Sequence, residues 1–99
     1  MSQLHQYYVY MLNNKSNAVI YVGVTNDIKN RTLQHKQGLQ QGFTKQYGCN
    51  KLVYYQAFQW IDDAIVREKQ LKGGSRQQKV NLINQENPNW EDLSEGWYN

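Results

Sequence analysis

The first sustained pattern in the chain is an unbroken run of aromatic and apolar residues, Tyr7-Tyr8-Val9-Tyr10-Met11-Leu12, after a polar start at Met1 to Gln6 that is expected to fray. A run of β-branched and aromatic residues predicts a strand. Turn chemistry follows in Asn13-Asn14-Lys15-Ser16-Asn17, then a second strand pattern, Val19-Ile20-Tyr21-Val22-Gly23. Two strands with a short polar link predict an antiparallel hairpin. Registered about the middle of that link, it sets Leu12 opposite Val19, Tyr10 opposite Tyr21 and Tyr8 opposite Gly23. The side-chain period of two then puts Tyr10 and Tyr21 on one face.

After Gly23 the period changes. Thr25-Asn26-Asp27 has the form of a helix start, and a first helix is expected from about Asp27 to Gln37, closed by Gly38. Arg31 and His35 are four apart and share one side of it, and Ile28, three before Arg31, turns that side toward the protein body. Gln40 to Asn50 reads as a loop, and Lys51 to Phe58 as a third, aromatic strand. Asp62 and Asp63 are expected to cap a second helix running to Leu71 and stopped by Gly73-Gly74. Its apolar stripe is Ile61, Ala64, Ile65 and Leu71, and Glu68 falls in the middle of that stripe. A carboxylate there is costly unless a cation compensates it. Ser75-Arg76-Gln77-Gln78 has the form of a capping box and opens a third helix with Val80, Leu82 and Ile83, ended by Asn87-Pro88. The remaining Asn89-Trp90-Glu91-Asp92-Leu93 and Trp97 are expected to fold back through their aromatics. The order β-β-α-β-α-α predicts a single α+β domain over residues 1–99, a three-stranded antiparallel or mixed sheet flanked by helices.

Composition and charge sharpen this picture. Eight Tyr and three Trp imply that part of the core is tyrosine and tryptophan packing. One cysteine, Cys49, cannot close an intramolecular disulfide and fits a reducing, cytoplasmic setting. No apolar run is long enough to cross a membrane. Residues 1–85 hold all 11 Lys and Arg against four acids, a net +7, whereas residues 86–99 hold four acids and no base, a net −4. A body this basic suits a polyanion or is simply a solvated basic surface. Several chemistries are excluded. One Cys and two His, His5 and His35, cannot supply four zinc ligands. No glycine-rich phosphate cradle precedes a helix, so no organic cofactor is expected, and no paired carboxylates suggest glycoside hydrolysis.

What remains is Tyr10, Tyr21, Arg31, His35 and Glu68. An arginine can hold a phosphate by two parallel hydrogen bonds. A single carboxylate with waters and phosphate oxygens can hold Mg²⁺. A tyrosine can take a proton from water when a cation lowers its pKa, and a histidine can assist it. Each residue also has a plainer role: a cross-strand core pair for the tyrosines, a buried ion pair for Arg31 with Glu68, a core histidine for His35.

Tyr8-Val9-Tyr10, followed eleven residues later by Tyr21-Val22-Gly23, resembles the two-strand signature of the GIY-YIG nucleases. The likeness continues through Arg31, the Arg-x-x-x-His spacing to His35, and Glu68 on a later helix. Gly42-Phe43-Thr44-Lys45, Arg67-Glu68-Lys69-Gln70-Leu71-Lys72 and Asn87-Pro88-Asn89-Trp90 look like the small stand-alone bacterial members. Tyr8 stands where the first motif has glycine, and Val24 where a lysine often follows the second, so Lys36 or Lys45 would replace that charge. The resemblance implies a Mg²⁺- or Mn²⁺-dependent endonuclease acting on DNA by structure-selective or weakly specific cutting, in repair, recombination or processing. Nothing in the sequence separates DNA from RNA. It makes Tyr10 and Tyr21 the site tyrosines with one of them general base, Arg31 the phosphate clamp, His35 an aid to proton transfer and Glu68 the sole metal ligand. A late asparagine, Asn87 or Asn81, completes the pattern. Lys36, Lys45, Arg67, Lys72 and Arg76 are the expected phosphate contacts. The alternative is a nucleic-acid-binding module with weak or lost catalysis.

Overall fold

The computed structural model describes residues 6–39 and 42–98; of the frayed start expected at Met1 to Gln6, residues 1–5 lie outside them. Strand β1 (Tyr7–Asn13) is the centre of an antiparallel sheet, flanked by β2 (Ile20–Thr25) on one side and β3 (Lys51–Phe58) on the other. Its unbroken apolar run explains that place. A strand paired on both edges and covered on both faces has no position for a charged side chain, and Val9, Tyr10, Met11, Leu12 and Asn13 are all fully buried.

The hairpin register differs from the symmetric one by two residues: Tyr10 faces Gly23 and Leu12 faces Tyr21. The cause lies in the turn. The Asn14 side chain accepts hydrogen bonds from the main chain of Ala18 (2.9 Å) and Val19 (3.1 Å), and Asn17 takes a left-handed conformation. Asn14 thereby holds the link closed through Val19, and pairing starts at Asn13 with Ile20. A slip of two preserves the face of every side chain, so Tyr10 and Tyr21 still share one side. The new register gives Gly23 its purpose. A Cβ there would lie 2.5 Å from Oη and 2.6 Å from Cζ of Tyr10, so the missing side chain is the space the Tyr10 ring occupies.

Helices and tail cover the two faces. On one, α3 (Ile61–Gly73) and α4 (Arg76–Glu86) bury Ala64, Leu71 and Ile83 against Val9, Met11, Val22, Val53 and Tyr54. A bulge opposite Met11 and Leu12 turns both Val53 and Tyr54 of β3 into this cluster. On the other, Ile28 of α1 (Ile28–Lys36) joins Tyr10, Leu12, Leu52 and Cys49, with Leu93 and Trp97 of the tail against them. Asp27 caps α1 by accepting from the Asn30 main chain at 3.1 Å, and Ser75 with Gln78 forms the capping box of α4. The expected caps of α3 are corrected. Trp60 holds the N-cap position without a side-chain bond, and Asp62 and Asp63 lie in the first turn, where they act on the helix dipole. Ala64 and Leu71 are buried as expected, whereas Ile61 is exposed and Ile65 half-buried.

The residues expected to form a loop contain a further helix, α2 (Phe43–Tyr47), between Gly42 at φ +90° and Gly48 at φ +66°. The tail folds back as a strap. Leu93 donates its main-chain N–H to Leu52 (2.8 Å), Asp92 pairs with Lys36, and the Tyr98 hydroxyl reaches the Lys29 carbonyl at 2.8 Å. Trp97 meets Tyr55 edge-on at 5.9 Å.

Gly23→Ala places a methyl inside the Tyr10 ring. Overpacking of that kind is expected to lower stability by about 1–3 kcal/mol, read as a lower urea midpoint at unchanged slope. An unchanged midpoint would mean that the ring can move aside without cost.

Candidate active site

Tyr10, Tyr21 and His35 converge from three elements. Their ring centroids form a triangle with sides of 6.3 Å (Tyr10–Tyr21), 5.9 Å (Tyr10–His35) and 5.8 Å (Tyr21–His35). β1 and β2 supply the tyrosines from one face of the hairpin, and the last turn of α1 supplies the imidazole. The Tyr10 hydroxyl lies 3.1 Å from Nε2 of His35, and Nδ1 of His35 lies 3.1 Å from Oγ1 of Thr44 on α2. Tyr10 and His35 are buried, whereas Tyr21 is only half-buried. One tyrosine is thus locked inside and the other faces outward.

The electrostatics follow from this burial. Loss of water around Tyr10, together with the Tyr21 hydroxyl and the Glu68 charge, raises its phenol well above the ordinary value. Arg31 opposes the shift through its charge and a hydrogen bond to the hydroxyl. His35 is held down to about 4, first by burial and then by the Arg31 charge, so its imidazole is neutral at pH 7. Arg31 is half-buried one helical turn before His35. The guanidinium therefore sits against both members of the Tyr10–His35 pair.

Glu68 comes from α3, in the layer across the sheet, yet its charge acts on Tyr10. That fits a site at the β2 edge of the sheet rather than over its middle. Its side chain is 16% exposed, and its ion pair among the described residues is with Lys72 at 3.5 Å, not with Arg31. The described residues contain no group of three or more His, Cys, Asp or Glu able to enclose a metal. A lone, partly open carboxylate does not suit zinc. It does suit a hard dication such as Mg²⁺ or Mn²⁺ that keeps most of its water.

The other expected site residues divide. Lys45 is exposed on α2, as are the rings of Phe43 and Tyr47. Arg67 is half-buried and donates to Gln70 at 3.3 Å, and Lys72 lies against Glu68. Lys36, Arg76 and Asn87 each have hydrogen-bond partners within the chain. Lys36 is tied to Asp92 and to the Asn50 carbonyl (2.9 Å). Arg76 holds the hairpin turn through the carbonyls of Asn17 (2.8 Å) and Ala18 (2.9 Å). Asn87 bonds the carbonyls of Val53 (3.1 Å) and Glu91 (2.8 Å) and accepts from the Glu91 N–H, a corner that turns the chain into its strap. Asn81, the other late asparagine, is exposed on α4 and accepts from Gln77 at 2.8 Å. The sequence reading passed over Thr44 and Phe43. Phe43 extends the aromatic cluster, 6.1 Å from Tyr21 and followed by Tyr47 at 4.7 Å. The glycines on either side of α2 made that segment read as a loop. No helix among the described residues is long and apolar enough to cross a membrane.

Comparison with known proteins places this geometry. The profile of the GIY-YIG catalytic domain matches residues 6–81, which include Tyr10, Tyr21, Arg31, His35 and Glu68 and leave Asn87 and the strap outside. A UPF0213 protein of Staphylococcus saprophyticus is 32% identical over 82 residues, 83% of this chain and 99% of that one. A UPF0213 protein of Clostridium perfringens is 37% identical over 76 residues, 77% of this chain and 81% of its own. The solution NMR structure of a UPF0213 protein from Bacillus halodurans is similar with a TM-score of 0.57 at 28% identity, covering 92% of this chain and 97% of that one.

The low pKa of His35 makes stability depend on pH. An unfolded histidine titrates at about 6.5, so below that pH the unfolded chain takes up a proton that folded His35 refuses. Its contribution is complete above about 6.5 and is lost as the pH falls toward about 4. Burial alone would raise the Asp92 carboxyl, but hydrogen bonds from Lys36 and Ser94 hold it below its ordinary value. Its contribution is therefore lost only in more acidic solution. Urea midpoints at pH 7 and pH 5 should drop for the wild type and drop less for His35→Gln. Equal drops would show that the His35 pKa is not depressed.

Proposed function

The chain belongs to the GIY-YIG catalytic-domain family, a family of nucleases, and from that membership we propose that it is a metal-dependent endonuclease that hydrolyses phosphodiester bonds in DNA. The observation that carries this reading is the convergence of groups on one hydroxyl. Tyr10 meets the Tyr21 and His35 rings, its hydroxyl lies 3.1 Å from Nε2 of His35, and the charges of Arg31 and Glu68 act on it.

In this reading Arg31 holds the scissile phosphate, since a guanidinium offers paired donors to two phosphate oxygens and a permanent positive charge. Tyr21, the more accessible ring, faces the attacking water and, in its phenolate form with its own proton given up to solvent, takes the water's proton. Tyr10 and His35 stay a protonated phenol and a neutral imidazole, and their hydrogen bond fixes the floor on which Tyr21 and the phosphate rest. Glu68 would hold Mg²⁺ or Mn²⁺ together with waters, which when bound supplies positive charge against the phosphate and acidifies water. The exposed rings of Phe43 and Tyr47, paired at 4.7 Å, form a rim beside Tyr21. Such a surface favours substrates that present unpaired bases and supports structure-selective rather than sequence-specific cutting.

The test is cleavage in Mg²⁺ of single-stranded, nicked, flapped, branched and duplex DNA, with RNA alongside, by the wild type and Glu68→Ala. Cleavage by the variant should fall by about a hundredfold or more while binding without metal is kept. A variant that cuts like the wild type would overturn the assignment of Glu68. A wild type that binds DNA and cuts nothing would establish a binding module in place of an enzyme.

A further inference from the structure

We infer that Thr44 is a positioning residue that accepts the Nδ1 proton of His35 and so fixes the imidazole in the tautomer whose Nε2 receives the Tyr10 hydroxyl. Its consequence for cleavage rests on the nuclease reading above; the tautomer itself does not.

The direction of each hydrogen bond follows from burial and from what each group can donate. Tyr10 is fully buried, so its O–H needs an acceptor inside the protein. A guanidinium has donors only, so Arg31, whose charge acts on Tyr10, cannot take the proton. The acceptor at hand is Nε2 of His35 at 3.1 Å. A neutral imidazole with Nε2 accepting carries its hydrogen on Nδ1, and the partner of Nδ1 is the Thr44 hydroxyl at 3.1 Å. In the opposite tautomer Nε2–H would donate to the Tyr10 oxygen, and the buried phenol proton would lose this acceptor.

The fold holds Thr44 in place for this task. It is buried in the first turn of α2, between the left-handed residues Gly42 and Gly48, and its carbonyl accepts the Cys49 N–H at 2.9 Å. Phe43 beside it packs on Tyr21. The short helix thus delivers one hydroxyl to the back of the imidazole.

The experiment reads the His35 ring nitrogens by ¹⁵N NMR of the labelled full chain at neutral pH, assigned against His35→Gln. The wild type should carry the proton on Nδ1. Thr44→Val should lose that single tautomer and cut DNA on the order of tenfold more slowly or worse, as for other residues that orient a functional histidine. Thr44→Ser should restore both. A proton on Nε2 in the wild type would overturn the inference, as would a Thr44→Val protein with an unchanged ring spectrum and full activity. If Thr44→Val does not fold, the wild-type spectrum and Thr44→Ser decide. A wild type that cuts nothing but shows the Nδ1 proton refutes the nuclease reading alone.

Discussion

A phenol buried in the central strand is the constraint around which this small domain is arranged. Tyr10 has no access to water, and a hydroxyl left unpaired in such a place costs about 1–3 kcal/mol. Each neighbour answers that demand. Gly23 gives the ring its space, Nε2 of His35 lies 3.1 Å from its hydroxyl, and the charge of Arg31 acts on it. A leucine at position 10 would need none of these polar partners, but it would leave empty the space beside Gly23 that the tyrosine ring fills. The polar site therefore brings its own supporting structure, and that structure ties β1, β2 and α1 together at one corner.

The charge asymmetry of the chain has a structural counterpart. The acidic end does not stand apart from the basic body: Asp92 holds Lys36, and the strap crosses α1 to the Lys29 carbonyl. This fastens the helix that carries Arg31 and His35. Three side chains expected at the functional surface, Lys36, Arg76 and Asn87, are engaged in such fastening. Basic residues on a basic protein are not interchangeable, because a lysine or arginine that bonds a carboxylate or carbonyls of its own chain has part of its donor capacity already engaged. Lys45, by contrast, is exposed on α2.

The sequence made legible what rests on local rules. The strands, the Asp27 and Ser75 caps, the tail that folds back, and the sharing of a face by Tyr10 and Tyr21 all follow from periodicity and capping chemistry. The α+β fold and the family followed from the ordered motif. Less legible were features set by contacts distant in sequence or by side chains inside a turn. The two-residue register shift depends on Asn14 closing its own loop, which no strand pattern encodes. A five-residue helix has too few internal hydrogen bonds to stand on propensity. What holds α2 is Thr44 on His35 and Phe43 on Tyr21, so its existence could be inferred only with the site already assembled. Glu68 stood out for the opposite reason. A carboxylate in the middle of an apolar stripe is costly, and the structure sets it 16% exposed with Lys72 at 3.5 Å.

The two pKa shifts at the centre also bear on when the site can work. Tyr10 is raised and His35 lowered to about 4, so in the free protein the proton stays on the phenol across the whole neutral range. Part of the depression of His35 is the unneutralised charge of Arg31. On the nuclease reading, a phosphate docked on Arg31 cancels that charge and makes the imidazole more basic, although burial, the larger cause, remains. On that same reading the Tyr10–His35 bond would tighten without moving its proton, and the work of a base would fall to the outward ring, Tyr21. Burial is what distinguishes two tyrosines that the sequence presents as equals.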